Sequence, residues 1–172
     1  MDILWAPWRS KYIQAFKDEE HRDNEKTCFL CEAAKSIGKE RELLVVERLK
    51  HCFIMMNKFP YNGGHLLIVP YKHVPNLEDL SSEELIEMMD AVKLAIKAIN
   101  YVSSPHGFNI GINIGRVAGA GVPDHIHIHV VPRWNGDTSF ISIISDTKVV
   151  SQALDETQQV FSEAFKKIKT DI

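Results

Sequence analysis

Three histidines alternate with branched aliphatic residues in DHIHIHVVPRW, residues 124–134. In an extended strand, residues two apart point the same way, about 7 Å from one another. The spacing therefore predicts one face of His125, His127 and His129 and an opposite face of Ile126, Ile128 and Val130. The aliphatic face suits a core. A lone strand histidine is usually a hydrogen-bonded packing residue, but three in register argue for chemistry. One chemistry is metal chelation, for which His-x-His is a good pair. The other is attack on phosphorus. A neutral imidazole, with an ordinary pKa of about 6.5, keeps a free lone pair at pH 7. It can form a phosphoramidate that water or another acceptor then breaks. That needs an acceptor to pin the other ring nitrogen, such as a backbone carbonyl. It also needs donors for phosphate oxygens, from neighbouring histidines or the amides of GRVAGAG, residues 115–121.

Cys28 and Cys31, in CFLC, are the second candidate. The pair fits a redox couple, a zinc site or two reduced thiols packed as small apolar residues. A βαβ context is missing, which counts against redox. Zinc needs two further ligands, and His51 is a candidate on sequence alone. Cys52 lies in a strand-like run and reads as packing. Gly63-Gly64 and GAG are too short for a dinucleotide fingerprint or a P-loop.

The elements that must position these residues read as α+β. CFLCEAAKSIGKE predicts a short helix stopped by Gly38. ELLVVE, CFIMMN and HLLIVP are short apolar strands, the last two joined by the turn-rich KFPYNGG. Ser81 and Glu84 form a capping box ahead of a helix with Leu85, Met88, Met89, Val92, Ile96 and Ile99 on one stripe. FNIGINI alternates Phe108, Ile110, Ile112 and Ile114 with Asn109, Gly111 and Asn113, as a half-buried strand does. FISIIS is a further candidate strand. Leu154, Phe161, Phe165 and Ile168 predict a C-terminal helix. The expected architecture is one domain over residues 1–172, an antiparallel sheet of about five strands with a long central helix and a C-terminal helix. The polar KDEEHRDNEKT, residues 17–27, is expected to be a mobile loop.

The 172 residues are 45% hydrophobic and 25% charged, the balance of an ordinary globular domain. A net charge of -3 gives no basic field for nucleic acid. No apolar run approaches the roughly 18 residues of a membrane span. MDILWAPWRSKY lacks a signal-peptide pattern, and three cysteines suit a reducing compartment. A cytoplasmic location is expected.

HIHIHVV resembles the signature of the histidine triad (HIT) family, in which three histidines alternate with apolar residues. NKFPYNGGHLLIVPYKHVPNLEDL is similar to that family's nucleotide-binding half, and GINIG to its strand before the triad, so that about residues 28–134 align. WAPWR and VVPRWNGD resemble a narrower branch, the bacterial diadenosine tetraphosphate phosphorylase-like proteins. The resemblance implies a nucleotidyl transferase or hydrolase acting on adenine nucleotides. The favoured reaction is phosphorolysis of diadenosine polyphosphates, with inorganic phosphate resolving a nucleotidyl-histidine. The alternatives are a nucleoside phosphoramidate hydrolase, a metal-dependent enzyme using the histidine strand as ligands, and a nucleotide-binding module without turnover.

By the same resemblance His127 is the nucleophile and His129 contacts the reacting phosphate. His125 holds the strand end and its carbonyl pins the His127 tautomer. Asn57 lies near the ribose and His65 near the phosphates. Asn113 bonds the phosphate or leaving group, with Gly119 and Gly121 in the adjoining loop. Many family members carry Gln where Gly121 stands, a departure that leans toward the phosphorylase-like branch. Cys28, Cys31, His73 and His125 are the implied ligands of a structural zinc. A homodimer is implied, and no organic cofactor.

Overall fold

Unbroken apolar runs become the centre of the sheet. The computed structural model describes residues 28–137 and 153–170. Its strands are β1 (Val45–Arg48), β2 (Cys52–Met56), β3 (Leu66–Pro70), β4 (Gly107–Ile112) and β5 (Ile128–Arg133). They form one sheet in the order β1-β2-β3-β5-β4, with every neighbouring pair antiparallel. All residues of β2 and β3 are buried, because both faces of the central strands are covered. The fold is α+β, as expected. The candidate loop 17–27 and the candidate strand FISIIS lie outside the described residues.

The helices are α1 (Phe29–Lys35), α2 (Ser82–Ser103) and α3 (Leu154–Thr170). α2 and α3 cover one face, where Ile54, Ile68, Ile126, Ile128 and Val130 meet Met88, Ile99, Phe161 and Phe165. Burying one such aromatic contributes roughly 1.5–3 kcal/mol. α1 covers part of the other face through Leu30 and Ala33, against Phe53, Met55, Leu67 and Val69. The alternation of β3 is the reason: Leu66 and Ile68 go to the first cluster, Leu67 and Val69 to the second.

The capping box at Ser81 and Glu84 is present, each side chain bonding the other residue's backbone amide. The stripe of α2 differs from expectation. Met89 is 55% exposed, while Ala91, Ala95 and Ala98 are fully buried. Small side chains let the helix approach the sheet, so the contact line runs through alanines that a search for large apolar residues passes over. α1 stops at Lys35, before Gly38. Gly38 instead serves the following turn with φ +89°.

Among the described residues β4 is an edge strand. Its Phe108 and Ile112 reach the α2-side core, but Ile110 between them is 46% exposed. The row of histidines is also only partly in the ladder. β5 begins at Ile128, so His129 is paired, with Gly111 on one side and Leu67 on the other. His125 and His127 precede the ladder, and Ile126 N–H bonds the carbonyl of Val74 at 2.8 Å. The alternation survives: Ile126, Ile128 and Val130 all sit in the α2-side core.

Candidate active site and metal centre

The histidines emerge on the face away from α2. Nδ1 of His127 lies 2.9 Å from the carbonyl oxygen of His125. A carbonyl only accepts, so this nitrogen carries the proton and Nε2 keeps its lone pair. No described residue bonds that Nε2. Burial is the main force that lowers the His127 pKa, opposed by the bond to the carbonyl, so the ring is neutral at pH 7. Its ring centroid is 4.8 Å from that of His129.

His129 is reached from the other side by the turn that joins β2 to β3. Nε2 of His65 is 3.0 Å from Nδ1 of His129. His65 is fully buried. Its Nδ1 receives the Tyr61 amide at 3.1 Å and lies 3.2 Å from Nδ2 of Asn57. Asn57 Oδ1 in turn accepts the Phe59 amide at 2.9 Å. Both ring nitrogens of His65 are thus engaged inside the protein, and its Nε2 faces His129. Nε2 of His129 is buried and has no hydrogen-bond partner among the described residues. Burial, and then the neighbouring His127, push the His129 pKa down to about 4. Opposite His129 on β4 stands Gly111, where a side chain would meet nothing within 4 Å. The missing side chain leaves the histidine face open at that point.

Asn62 anchors this turn. Its buried side-chain amide donates to the Pro132 carbonyl at 3.0 Å and to Asp137 at 2.7 Å, and its backbone carbonyl accepts the His65 amide. Asp137 is also gripped at both oxygens by Arg133, which holds its carboxyl well below the usual range. The sequence marks Asn62 only as a residue of the turn-rich KFPYNGG connection and gives Asp137 no role. A long-range polar pair between two turns leaves no spacing pattern.

His125 faces a second cluster. Its Nε2 donates to the Pro70 carbonyl at 2.9 Å, which leaves Nδ1 as a lone pair. That Nδ1 is 3.5 Å from Cys28 Sγ, 3.5 Å from Cys31 Sγ and 3.2 Å from His73 Nδ1. His73 Nδ1 is 3.1 Å from Cys31 Sγ. The ligand atoms of all four residues lie within 4.8 Å of one another. Four ligands at zinc bond lengths stand on tetrahedral edges of roughly 3.3–3.8 Å, so the donor set fits a metal ion. His51 is not in the group: its amide is held by Glu87 of α2 at the β1–β2 turn.

α1 is fixed to the sheet by Arg48 of β1. Its guanidinium donates to the carbonyls of Ala33, Ala34 and Ser36, which the helix end leaves unpaired, and to Glu40. Cys31 therefore sits on an anchored helix and Cys28 at its N-cap.

A cleft of about 870 Å³ is lined by Phe29, Leu43, Leu44, Met55, Lys58 and Phe59 among others, the last three flanking Asn57 in the chain. The connection from β4 to β5 brings Asn113 and Gly119 together, with Asn113 Nδ2 3.4 Å from the Gly119 carbonyl. The amides of Ala118, Gly119 and Ala120 close turns within that loop, so these three do not supply the phosphate donors expected of them. Gly121 follows in the same connection, ahead of the Val122 carbonyl that receives the His125 amide.

Comparison with known proteins matches the HIT domain family to residues 38–136. An AP-4-A phosphorylase of Mycobacterium tuberculosis is 41% identical over 92% of this chain and 82% of its own length. A bis(5'-nucleosyl)-tetraphosphatase of Schizosaccharomyces pombe is 38% identical over 55% of this chain and 52% of its own. The fold matches that of a Zn-bound histidine triad family protein from Mycobacterium smegmatis, with TM-score 0.68 and 22% identity over 86% of this chain and 99% of that one.

Proposed function

The chain belongs to the HIT domain family, and from that premise we propose that it phosphorolyses diadenosine polyphosphates through a covalent intermediate on His127. The observation that carries this is the 2.9 Å contact from His127 Nδ1 to the His125 carbonyl, which leaves Nε2 as a neutral nucleophile. The likeness to the phosphorylase, over most of both chains, supports phosphate as the acceptor.

His127 Nε2 attacks the phosphorus next to one adenosine of diadenosine tetraphosphate. An N–P bond forms, the bridging P–O bond breaks and ATP leaves. An oxygen of inorganic phosphate then attacks the same phosphorus. The N–P bond breaks, ADP departs with the incoming phosphate, and one proton from that phosphate is released. His129 donates to the reacting phosphoryl group. The adenine occupies the apolar cleft beside Asn57, and Asn57 lies along the ribose. Asn113, with Gly119 and Gly121, borders the leaving group.

Cys28, Cys31, His73 and His125 hold zinc, which as a closed site would brace the start of the histidine segment. Two chains pair across the edge that β4 forms among the described residues, covering Ile110. No helix among the described residues is long and apolar enough to cross a membrane, and the reduced cysteines suit the cytoplasm.

The test is diadenosine tetraphosphate with and without inorganic phosphate. ADP plus ATP, made only with phosphate, is expected. AMP plus ATP without phosphate would assign water as the acceptor, as in a tetraphosphatase. In either case His127→Ala should lose on the order of 10⁴-fold or more in rate while still binding nucleotide. Unchanged turnover in that variant would end the covalent mechanism.

A further inference from the structure

We propose that Arg116 is the cation of the acceptor subsite: its guanidinium holds the inorganic phosphate that resolves nucleotidyl-His127, and so favours phosphate over water. The proposal rests on the phosphorolysis reading above for what the phosphate attacks, but the placing of the arginine stands on the fold alone.

The β4–β5 ladder ends at the pair Ile112 and Ile128. The connection between them therefore leaves the sheet and returns to it beside His127. Arg116 opens a 3-10 turn, Arg116–Ala118, within that connection. Glycines with positive φ flank the turn, Gly115 at +78° and Gly119 at +90°, a backbone that a larger residue adopts only at a cost. The Gly119 N–H bonds the Arg116 carbonyl at 2.9 Å, and Asn113 Nδ2 lies 3.4 Å from the Gly119 carbonyl. The backbone of Arg116 is thus held in place while its side chain is exposed.

Every other described arginine is already engaged. Arg41 pairs with Asp155 at 3.5 Å and Arg48 with Glu40 at 3.0 Å, while Arg133 grips Asp137 and Asn109. The Arg116 guanidinium meets no acceptor among the described residues. The nearby lysines are placed for other work. Lys72 gives its ammonium to the Asp79 carbonyl, and Lys58 lines the apolar cleft. Within residues 113–124 Arg116 is the one cation, and Asp124 the one carboxylate.

A cation is what the second half of the reaction lacks. The nucleotidyl group carries a negative charge, and inorganic phosphate is itself an anion at pH 7. The two repel, whereas water meets no such repulsion. His129 brings no charge, because burial keeps its pKa down at about 4. A guanidinium cancels the repulsion, and its planar fork matches two phosphate oxygens. As the attacking oxygen forms its P–O bond, the N–P bond breaks. The electron pair returns to His127 Nε2 and the proton of the phosphate passes to solvent. Both displacements run in line with His127 Nε2, so the phosphate enters from the side by which ATP left. One subsite therefore serves the leaving and the incoming phosphate.

The experiment gives full chains of wild type, Arg116→Gln and Arg116→Lys diadenosine tetraphosphate over a range of inorganic phosphate. ADP and AMP measured in one reaction report phosphate and water as acceptors, whatever fraction of the protein is active. In Arg116→Gln the phosphate concentration that gives equal ADP and AMP should rise about 10- to 100-fold, the worth of a charge-assisted hydrogen bond. Arg116→Lys should recover part of that loss. Breakdown of nucleotidyl-His127 by water should stay the same. An unmoved crossover in Arg116→Gln would overturn the proposal, even where both products fall, since the defect would then be one of loop packing. A second readout needs no turnover. The Arg116 Nε–H signal, identified by its loss in Arg116→Gln, should shift as inorganic phosphate is titrated into 15N-arginine-labelled wild type. A flat titration would also overturn the proposal. A saturating shift in a wild type that forms no ADP would instead sink phosphorolysis and leave Arg116 as a phosphate site.

Discussion

His125 and His127 are joined by a single 2.9 Å hydrogen bond from the ring of one to the backbone of the other. The side chain of His125 belongs at the same time to the cysteine–histidine group. One residue therefore links the two groups: its Nδ1 turns to the cysteines and His73 while its carbonyl holds His127.

The chain should purify with one zinc ion. Cys31→Ser should lose it and lower Tm by roughly 10 °C, the scale of a few kcal/mol in a domain of this size. His51→Ala should keep it. Elemental analysis and thermal unfolding of the three proteins decide this, and metal retained by Cys31→Ser would dismiss the site. Activity should drop with the metal, since the His125 carbonyl loses its anchor.

Stability should fall as pH drops from about 6.5 toward 4. Burial holds His129 at about 4 in the folded chain, against an ordinary 6.5 in the unfolded one. Below 6.5 the unfolded state therefore binds more protons, and acid favours it. Above 6.5 the contribution is constant. His127 shifts in the same direction. Urea midpoints at pH 7 and pH 5 measure the loss, and His129→Gln should lose less between the two. Equal losses in both proteins would refute the assignment.

Gly111→Leu should fold normally and bind substrate poorly. The position has no neighbour within 4 Å to clash with, yet it stands opposite His129. A leucine there would project over the histidine face. We expect kcat/KM to fall by about 10-fold or more with Tm unchanged. An unaltered kcat/KM would mean that substrate approaches elsewhere.

Arg48→Met should destabilise the protein by about 1.5–3 kcal/mol, the range for hydrogen bonds made by a charged group. It leaves three carbonyls at the end of α1 without their donor. Because Cys31 lies in α1 and Cys28 caps its start, a chelator should also strip metal faster from this variant. Urea denaturation and chelator competition read the two effects separately.

Periodic features could be read directly from the sequence. HIHIHVV has a period of two, and its aliphatic half does face the core. HLLIVP and CFIMMN are unbroken apolar runs, and both strands are buried throughout. Ser81 and Glu84 stand at capping-box spacing and form the box. Such features follow from local backbone geometry, which repeats along the chain. Cys28 and Cys31 also declared themselves by spacing, but their distant partners did not. His73 and His125 reach them across 42 to 97 positions of sequence. His73 entered by family resemblance, and the pairing of β3 with β5 is what brings it to His125.

The direction of His65 needed the fold. His65 is one of 8 histidines in the sequence, and nothing in NGGHLL says that both its nitrogens point inward. Its direction depends on the Tyr61 amide, on Asn57 and on the antiparallel register that sets Leu67 against His129. Sequence determined that this chain carries a row of histidines alternating with aliphatic residues that face the core. Tertiary structure decided which nitrogen of each ring is left to act, because a hydrogen bond is a relation between atoms that are close in space, whatever their distance along the chain.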